Sequence, residues 1–178
     1  MSTTPHSTSS VPQHPALAPG DELVHTTPDD PRAKPVLDDL VREYDERYRD
    51  LFPGSAADEV YRYPVEHFSA PEGTFLLLLR DGEAISAGAF MRLDPSTIEL
   101  KRIWTRSDHR GEGLARVIVA ELEAEAARRG AERIVLSTGP RQPEAVRLYL
   151  RLGYTPQFDV DADPATVGIH CFEKAVTA

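Results

Sequence analysis

The residues of this chain best suited to chemistry lie in a glycine-bearing loop between a strand and a helix. Arg110, Gly111 and Gly113 follow an alternating strand and precede a long amphipathic helix. The first N–H groups of a helix have no partner inside it, and the helix dipole favours negative charge there. Glycine lets an anion approach those groups, and Arg110 adds a positive charge. The loop therefore predicts a phosphate site.

The spacing of the glycines narrows the kind of phosphate. A dinucleotide-binding loop would need a third glycine where this chain has Arg116, and the Gly-Lys-Ser/Thr of a nucleoside-triphosphate loop is absent. What remains is the pattern Arg-x-x-Gly-x-Ala, formed by Arg110, Gly113 and Ala115. A second run, QPEAVRLYLRLGY, occupies residues 142–154 after an intervening strand.

Together the two motifs resemble the acetyl-CoA signature and the later helix and turn of the GNAT superfamily of N-acetyltransferases. The matching residues of the second motif are Ala145, Leu148, Tyr149, Gly153 and Tyr154. Gln142 stands where the family usually has asparagine. The resemblance covers roughly residues 59–174 and says nothing about the acceptor.

The resemblance implies an α/β (α+β) fold. Its central sheet is expected to be mixed but mostly antiparallel, with about six to seven strands. About four helices flank this sheet, which is splayed at the acyl-CoA site. The hydrophobic pattern predicts the elements that this fold requires. The expected strands are 21–27, 74–80, 83–93, 97–105, 133–138 and 168–175, with a hairpin turn at Asp81-Gly82 between the second and the third. The expected helices are 35–51, whose apolar positions include Tyr44 and Tyr48, the helix after the loop, and 143–152.

The activity implied by the resemblance is transfer of an acetyl group from acetyl-CoA to a primary amine by direct attack, without a metal. Tyr149 matches the family tyrosine that protonates the departing thiolate, and some relatives carry a general base near Glu99. The implied cofactor contacts are Ile103, Trp104, Thr105, Arg110, Gly111, Glu112, Gly113, Leu114, Ala115, Gln142 and Ala145. The implied acceptor contacts are Tyr61, Tyr63, Glu66 and His67.

Each of these residues also has a purely structural interpretation. Tyr149 could be a packed core tyrosine, and the acceptor candidates could be loop residues that pack on the sheet. Glu99 could be an exposed strand glutamate paired with Lys101; the period of two places both on one face with Ile103 and Thr105. Three further residues, Arg106, His109 and Arg141, are candidates for contacts to the cofactor phosphates or ribose.

Composition limits the other classes of function. A chain of 178 residues predicts one domain, here residues 21–178, after a Ser/Thr/Pro-rich tail at 1–20 that we expect to be disordered. The net charge of −9 argues against nucleic-acid binding. No apolar run or signal peptide indicates a membrane. The single cysteine, Cys171, fits the cytoplasm and is expected to be buried in the last strand.

Three functional classes stay open at this point. The first is an N-acetyltransferase for a small-molecule amine, and the second is a protein acetyltransferase for a lysine or an N-terminal amine. The third is a non-catalytic acyl-CoA-binding regulatory module. Tyr149 and the complete loop favour catalysis, and the short acceptor-side segment favours a small molecule. Dimers are common in the family, so a homodimer also stays open.

Overall fold

The computed structural model of the chain describes residues 17–177. Most of the tail expected to be disordered, residues 1–16, lies outside the described residues. The strands are Asp21–Thr26 (β1), Gly73–Arg80 (β2), Glu83–Asp94 (β3), Thr97–Thr105 (β4), Arg133–Thr138 (β5), Thr155–Pro156 (β6) and His170–Ala175 (β7). The helices are Lys34–Tyr48 (α1), Ala56–Val60 (α2), Leu114–Arg128 (α3), Pro143–Arg151 (α4) and Pro164–Val167 (α5).

The strands form one sheet in the order β1-β2-β3-β4-β5-β7-β6. Only the β4–β5 pair is parallel, so the expectation of a mixed and mostly antiparallel sheet is confirmed. Asp81 and Gly82 make the predicted hairpin turn, both with positive φ, as a tight two-residue turn requires. The pattern did not predict α2, β6 and α5, because five, two and four residues are too short to show a period.

Helices cover the sheet on both faces. On one face α3 and α4 pack through a cluster that includes Ile118, Leu122 and Phe172. On the other face α1 packs through Val36, Leu37 and Leu40. Each fully buried aliphatic side chain contributes on the order of 1.5–3 kcal/mol of transfer free energy, so these two clusters hold the layers together.

β4 and β5 separate at the centre of the sheet. They pair only from Thr97 to Glu99 on β4 and from Arg133 to Val135 on β5. Beyond Glu99, β4 remains paired with β3, while the rest of β5 pairs with β7. The two strands therefore enclose a wedge that opens toward the carboxyl ends of both, which is the splay expected from the sequence.

A bulge in β4 changes which side chains face the wedge. Arg102 and Ile103 both lie opposite Gly88, and Arg102 has a φ of +57°. A Cβ on Gly88 would lie 2.6 Å from side-chain atoms of both Ile103 and Ile118, so glycine lets the bulge and α3 meet. Ile103 packs with the α3 cluster.

The expectation that one face carries Glu99, Lys101, Ile103 and Thr105 is therefore wrong beyond Lys101. After the bulge the α1 face is continued by Trp104, which packs with the α1 cluster.

Cys171 is exposed, so the prediction that it is buried is wrong. It pairs with Ser137, which is also exposed, on the opposite face of β7 from buried Phe172. Strand alternation therefore sends its thiol to solvent. No helix within residues 17–177 has the length and apolarity that crossing a bilayer requires. The same residues contain no cluster of three or more His, Cys, Asp or Glu side chains that could hold a metal ion.

Candidate active site

The loop between β4 and α3 presents a row of unused backbone donors. Gly111 and Gly113 have φ values of +88° and +81°, and Gly113 is the N-cap of α3. Within the described chain, none of the N–H groups of residues 111–115 donates a hydrogen bond. A Cβ on either glycine would meet nothing within 4 Å, so this side of the loop is open. Such a loop can hold a phosphate on N–H groups alone.

Arg116 adds a positive charge that the sequence analysis did not assign. It is exposed in the first turn of α3, which contains no acidic residue. Among the described residues it takes part in no ion pair. A cation is unfavourable beside the positive end of a helix dipole, unless an anion binds there. A basic residue at the third helical position after a glycine loop is the signal that could have identified it.

An ionic network braces the loop against the first two strands. Arg80 donates to Asp21 at 2.7 Å and to Glu112 at 2.9 Å. Glu112 also accepts from Nδ1 of His109 at 2.7 Å, and Nε2 of His109 lies 2.8 Å from the Arg106 guanidinium. These contacts fit a His109 tautomer that carries its proton on Nδ1. The hydrogen bond from Arg80 lowers the pKa of both Asp21 and Glu112.

The three arginines proposed for phosphate contacts are all engaged in the structure. Arg106 pairs with Asp108 and Glu83. Arg110 pairs with Glu43 of α1 and donates to the Thr105 carbonyl at 3.3 Å, so it ties the loop to α1 and to the end of β4. Arg141 pairs with Asp50 at the end of α1 and sits away from the loop in the sequence and in its contacts.

A cavity of about 770 Å³ lies on the α1 side of the wedge. Its walls are the end of α1, the α1–α2 segment, α2, and the facing parts of β4 and β5. The residues that matter for its chemistry are Tyr44, Tyr48, Phe52, Tyr63, Glu99, Lys101, Thr138 and Gln142. A cavity of this size can accommodate a small organic molecule.

Glu99 and Lys101 form an ion pair in the wall of this cavity. Nζ of Lys101 donates to the Glu99 carboxylate at 2.9 Å, and both side chains are about one-sixth exposed, at 18% and 17%. Nζ of Lys101 also lies 5.0 Å from the centre of the Tyr63 ring. Because Glu99 is the last β4 residue paired with β5, the carboxylate stands where the wedge begins.

Of the four residues expected to contact the acceptor, only one lies in the same cavity as the Glu99–Lys101 pair. Tyr63 lines the cavity, whereas Tyr61, Glu66 and His67 do not. Those three side chains are exposed, Tyr61 to 56%. Sequence alone could not separate them because the segment is poorly periodic, and its 3₁₀ turn at Val65–Phe68 decides which residues point inward.

Tyr149 lies in α4 with its ring in the α3–α4 core. It packs edge-on against Tyr154 and tilted against Phe172, with centroids 5.6 Å apart in both pairs. Burial raises the pKa of Tyr149, with a smaller contribution from Tyr44 of α1. Within the described residues the Tyr149 hydroxyl has no hydrogen-bond partner, in contrast with Tyr154, which donates to Glu123 at 2.8 Å. Tyr149 therefore keeps its proton at neutral pH, and its hydroxyl is free to donate that proton to a ligand.

Gln142 ties α1 to the end of β5. Its side-chain oxygen accepts from the Thr138 hydroxyl at 3.0 Å, the Gly139 N–H at 3.2 Å and the Tyr48 hydroxyl at 3.2 Å. A Cβ on Gly139 would lie 2.2 Å from the Tyr48 hydroxyl, so glycine permits this close approach. Gln142 thus holds the cavity wall, and its amide nitrogen remains available to a ligand. Ala145 packs half-buried on the α3–α4 core one turn later.

The remaining predicted cofactor residues surround the mouth of the wedge. Leu114, the first residue of α3, is buried, and Ala115 is the second residue of that helix. The Trp104 indole donates to Asp39 of α1 at 2.7 Å, and its carbonyl accepts from Ser86 at 2.7 Å. Trp104 thus braces β4 on the α1 side, while Ile103 braces it on the α3 side.

Two further features of the cavity were not predicted from the sequence: the tyrosines of α1 in its lining, and the contacts of Arg102 beside it. Tyr44 and Tyr48 looked like core positions of α1, but both line the cavity. Burial, with Tyr48 as the next cause, raises the pKa of Tyr44 to about 12. Arg102 stacks over Phe68 at 4.2 Å and donates to the Val60 carbonyl of α2, which attaches the cavity wall to the bulge. The sequence signal for the first of these groups was the pair Tyr44 and Tyr48, which are four residues apart just before the end of α1.

Comparisons with known proteins agree with this geometry. Residues 37–154 match the Acetyltransferase (GNAT) family. The chain is 30% identical over 118 residues to the uncharacterized N-acetyltransferase YsnE of Bacillus subtilis (strain 168), covering 64% of this chain and 78% of that protein. It is 27% identical over 127 residues to the IAA acetyltransferase of Azospirillum brasilense, covering 69% and 81%.

Solved structures share the whole fold. An aminoglycoside 6'-N-acetyltransferase complexed with coenzyme A superposes with a TM-score of 0.63 at 17% identity, covering 88% of this chain and 98% of that one. With the family match spanning about two thirds of the sequence, the splayed sheet and the open loop before α3 belong to a member of the GNAT acetyltransferase family.

Proposed function

We propose that this protein is an N-acetyltransferase that transfers the acetyl group of acetyl-CoA to a primary amine of a small molecule. The observation that carries the proposal is the loop at residues 111–115, whose free N–H groups stand at the mouth of the β4–β5 wedge. The wedge in turn reaches the Glu99 carboxylate and the cavity. The phosphates would thus bind at the loop, the thioester in the wedge and the amine in the adjoining cavity.

The chain's residues fit acetyl-CoA as the donor. The loop N–H groups and Arg116 supply donors and charge for a pyrophosphate. The unpaired edges of β4 and β5 offer backbone groups to an amide-containing arm, and Gln142 offers its amide nitrogen. The coenzyme A bound to the aminoglycoside acetyltransferase of the same fold supports this choice. When bound, acetyl-CoA supplies an activated thioester.

Glu99 and Tyr149 divide the proton transfers between them. Glu99 takes a proton from the ammonium form of the acceptor, directly or through water, and passes it to solvent. The amine nitrogen then forms its bond to the carbonyl carbon as the carbon–sulfur bond breaks. Tyr149 gives its proton to the departing sulfur and recovers one from the nitrogen, so the products are an amide and a free thiol. Backbone N–H groups of β4 near Thr105 stabilise the charge on the carbonyl oxygen.

Thermal unfolding of the full chain with and without acetyl-CoA tests the donor assignment. At a hundred times the dissociation constant, a ligand that binds only the folded state adds about 2.7 kcal/mol to the free energy of unfolding. ADP at the same concentration controls for binding of a bare pyrophosphate. An unchanged Tm with acetyl-CoA would reject the proposal.

Release of the coenzyme A thiol in the presence of amines tests catalysis. Turnover with a small amine supports the proposal. A Tm shift without thiol release from any amine would instead favour the regulatory acyl-CoA-binding module. Turnover restricted to lysine peptides or peptide N-termini would favour a protein acetyltransferase.

A further inference from the structure

The charges and rings of the cavity also define the acceptor. We propose that the acceptor is an α-amino acid with an aromatic or similarly large apolar side chain. This inference rests on the proposed function and names the substrate class of the same site.

The first argument concerns the head of the acceptor. An amine that reaches Glu99 also meets the ammonium of Lys101, which lies 2.9 Å from the carboxylate and is only 18% exposed. Two cations at such separation in a partly buried site repel each other strongly. An acceptor that carries its own carboxylate beside the amine avoids this repulsion, because its two charges face Glu99 and Lys101 respectively.

The second argument disfavours a polycationic acceptor. Besides Glu99, three carboxylates line the cavity, and two of them already have a cationic partner: Asp45 pairs with Arg49, and Glu59 lies 3.5 Å from Arg62. Asp58 accepts from the Ser55 N–H in a capping box. A polyamine or an aminoglycoside needs several carboxylates without a cationic partner to replace its hydration, and within the described residues this lining offers it only Asp58.

The third argument concerns the body of the acceptor. Four aromatic rings, from Tyr44, Tyr48, Phe52 and Tyr63, line the cavity around the ion pair. Tyr48 and Phe52 lie 5.5 Å apart, and the Phe52 ring is 42% exposed at the rim. Aromatic walls of this kind favour a flat apolar group by stacking and by burial of its surface.

Matched pairs of acceptors test the inference through thiol release. L-phenylalanine is compared with phenethylamine and L-tryptophan with tryptamine, since each pair differs only in the carboxylate. Spermidine and kanamycin serve as polycations. We expect kcat/KM for the amino acids to exceed that for the decarboxylated amines by about tenfold or more. Polycations are expected to be the poorest acceptors.

Lys101→Met tests the role of the ammonium while keeping an unbranched stem on Tyr63. We expect KM for the amino acids to rise about tenfold and KM for the matching amines to stay or fall. Lys34→Met is the control, because Lys34 is exposed and paired with Asp38 on the surface of α1. Unchanged melting of Lys101→Met shows that the variant is folded.

The outcomes separate this inference from the proposed function. Acetyl-CoA binding with turnover of plain amines or polycations in preference to amino acids would overturn the inference alone. An equal loss for all acceptors in Lys101→Met would also overturn it, because a merely structural lysine would act that way. Failure to bind acetyl-CoA would overturn the proposed function itself.

Discussion

The Glu99 carboxylate accepts a hydrogen bond from Nζ of Lys101 at 2.9 Å, at the last β4 residue that still pairs with β5. A base and a cation are thus presented together at the start of the wedge. The bulge at Arg102 follows directly and ends this face after Lys101. Within the described residues, Glu99 and Lys101 are therefore the only charged side chains of β4 that line the cavity.

Replacing Glu99 with glutamine is expected to lower kcat by about 10²–10⁴-fold, since the amide keeps the shape but accepts no proton. Acetyl-CoA affinity, measured by titration calorimetry, is expected to stay within about twofold. Glu173→Gln is the matched control, because Glu173 lies on the same sheet, aligned through Val135, and outside the cavity lining. A normal kcat in Glu99→Gln would remove it as the base.

Replacing Gly113 with glutamate is expected to weaken acetyl-CoA binding by about 100-fold or more, because its charge would repel a phosphate at the loop. Positive φ at this position adds backbone strain to any substitution. Gly130→Glu controls for that strain, since Gly130 has a similar φ of +75° at the other end of α3. Equal affinities of the two variants would contradict the phosphate assignment.

Replacing Arg116 with glutamine is expected to raise the Kd of acetyl-CoA by about 3–30-fold and to flatten its dependence on salt. The side chain is exposed, so the melting temperature should hardly change. Arg151→Gln, in the last turn of α4, is the control for a lost surface cation. A Kd and salt dependence identical to those of the unmodified chain would show that Arg116 does not meet the phosphates.

Tyr149→Phe is expected to lower kcat by about 10–100-fold with little change in acetyl-CoA affinity or stability. Stability is retained because no hydrogen bond among the described residues depends on the hydroxyl. Tyr154→Phe should instead lower the stability and leave kcat nearly unchanged, since the hydroxyl that it loses donates to Glu123. Since burial raises the pKa of Tyr149, kcat should show no falling limb below about pH 10 that depends on this residue. A full rate in Tyr149→Phe would exclude it as the acid.

Arg80→Met is expected to lower the Tm at neutral pH by about 3–6 °C, because it removes the partner of Asp21 and Glu112. Arg80 lowers the pKa of both carboxyls, so their contribution to stability is present above the unfolded pKa of about 4. It is lost as the pH falls further, so the difference in Tm between the two proteins should shrink below about pH 4. A difference independent of pH would contradict the ion-pair explanation.

Local sequence was sufficient for the features that depend on neighbours along the chain. The period of α1, the Asp81-Gly82 hairpin and the glycines of the 110–115 loop were all predicted because backbone preference and side-chain period are local properties. The loop's position between a strand and a helix also followed from these patterns. The short helix α2 was missed because five residues carry no period.

Tertiary structure decided how those local features meet. The bulge at Arg102 arises opposite Gly88 on another strand, so no pattern within β4 could show that Ile103 leaves the face of Glu99. The fold of the segment that contains the 3₁₀ turn at Val65–Phe68 places Tyr63 in the cavity wall and leaves Tyr61 exposed, and Cys171 is exposed by its place opposite Ser137. The sequence by itself determined the loop and the elements. The wedge, the ion pair in the cavity and the choice of aromatic walls depend on contacts between residues far apart in the chain, and only the folded chain forms those contacts.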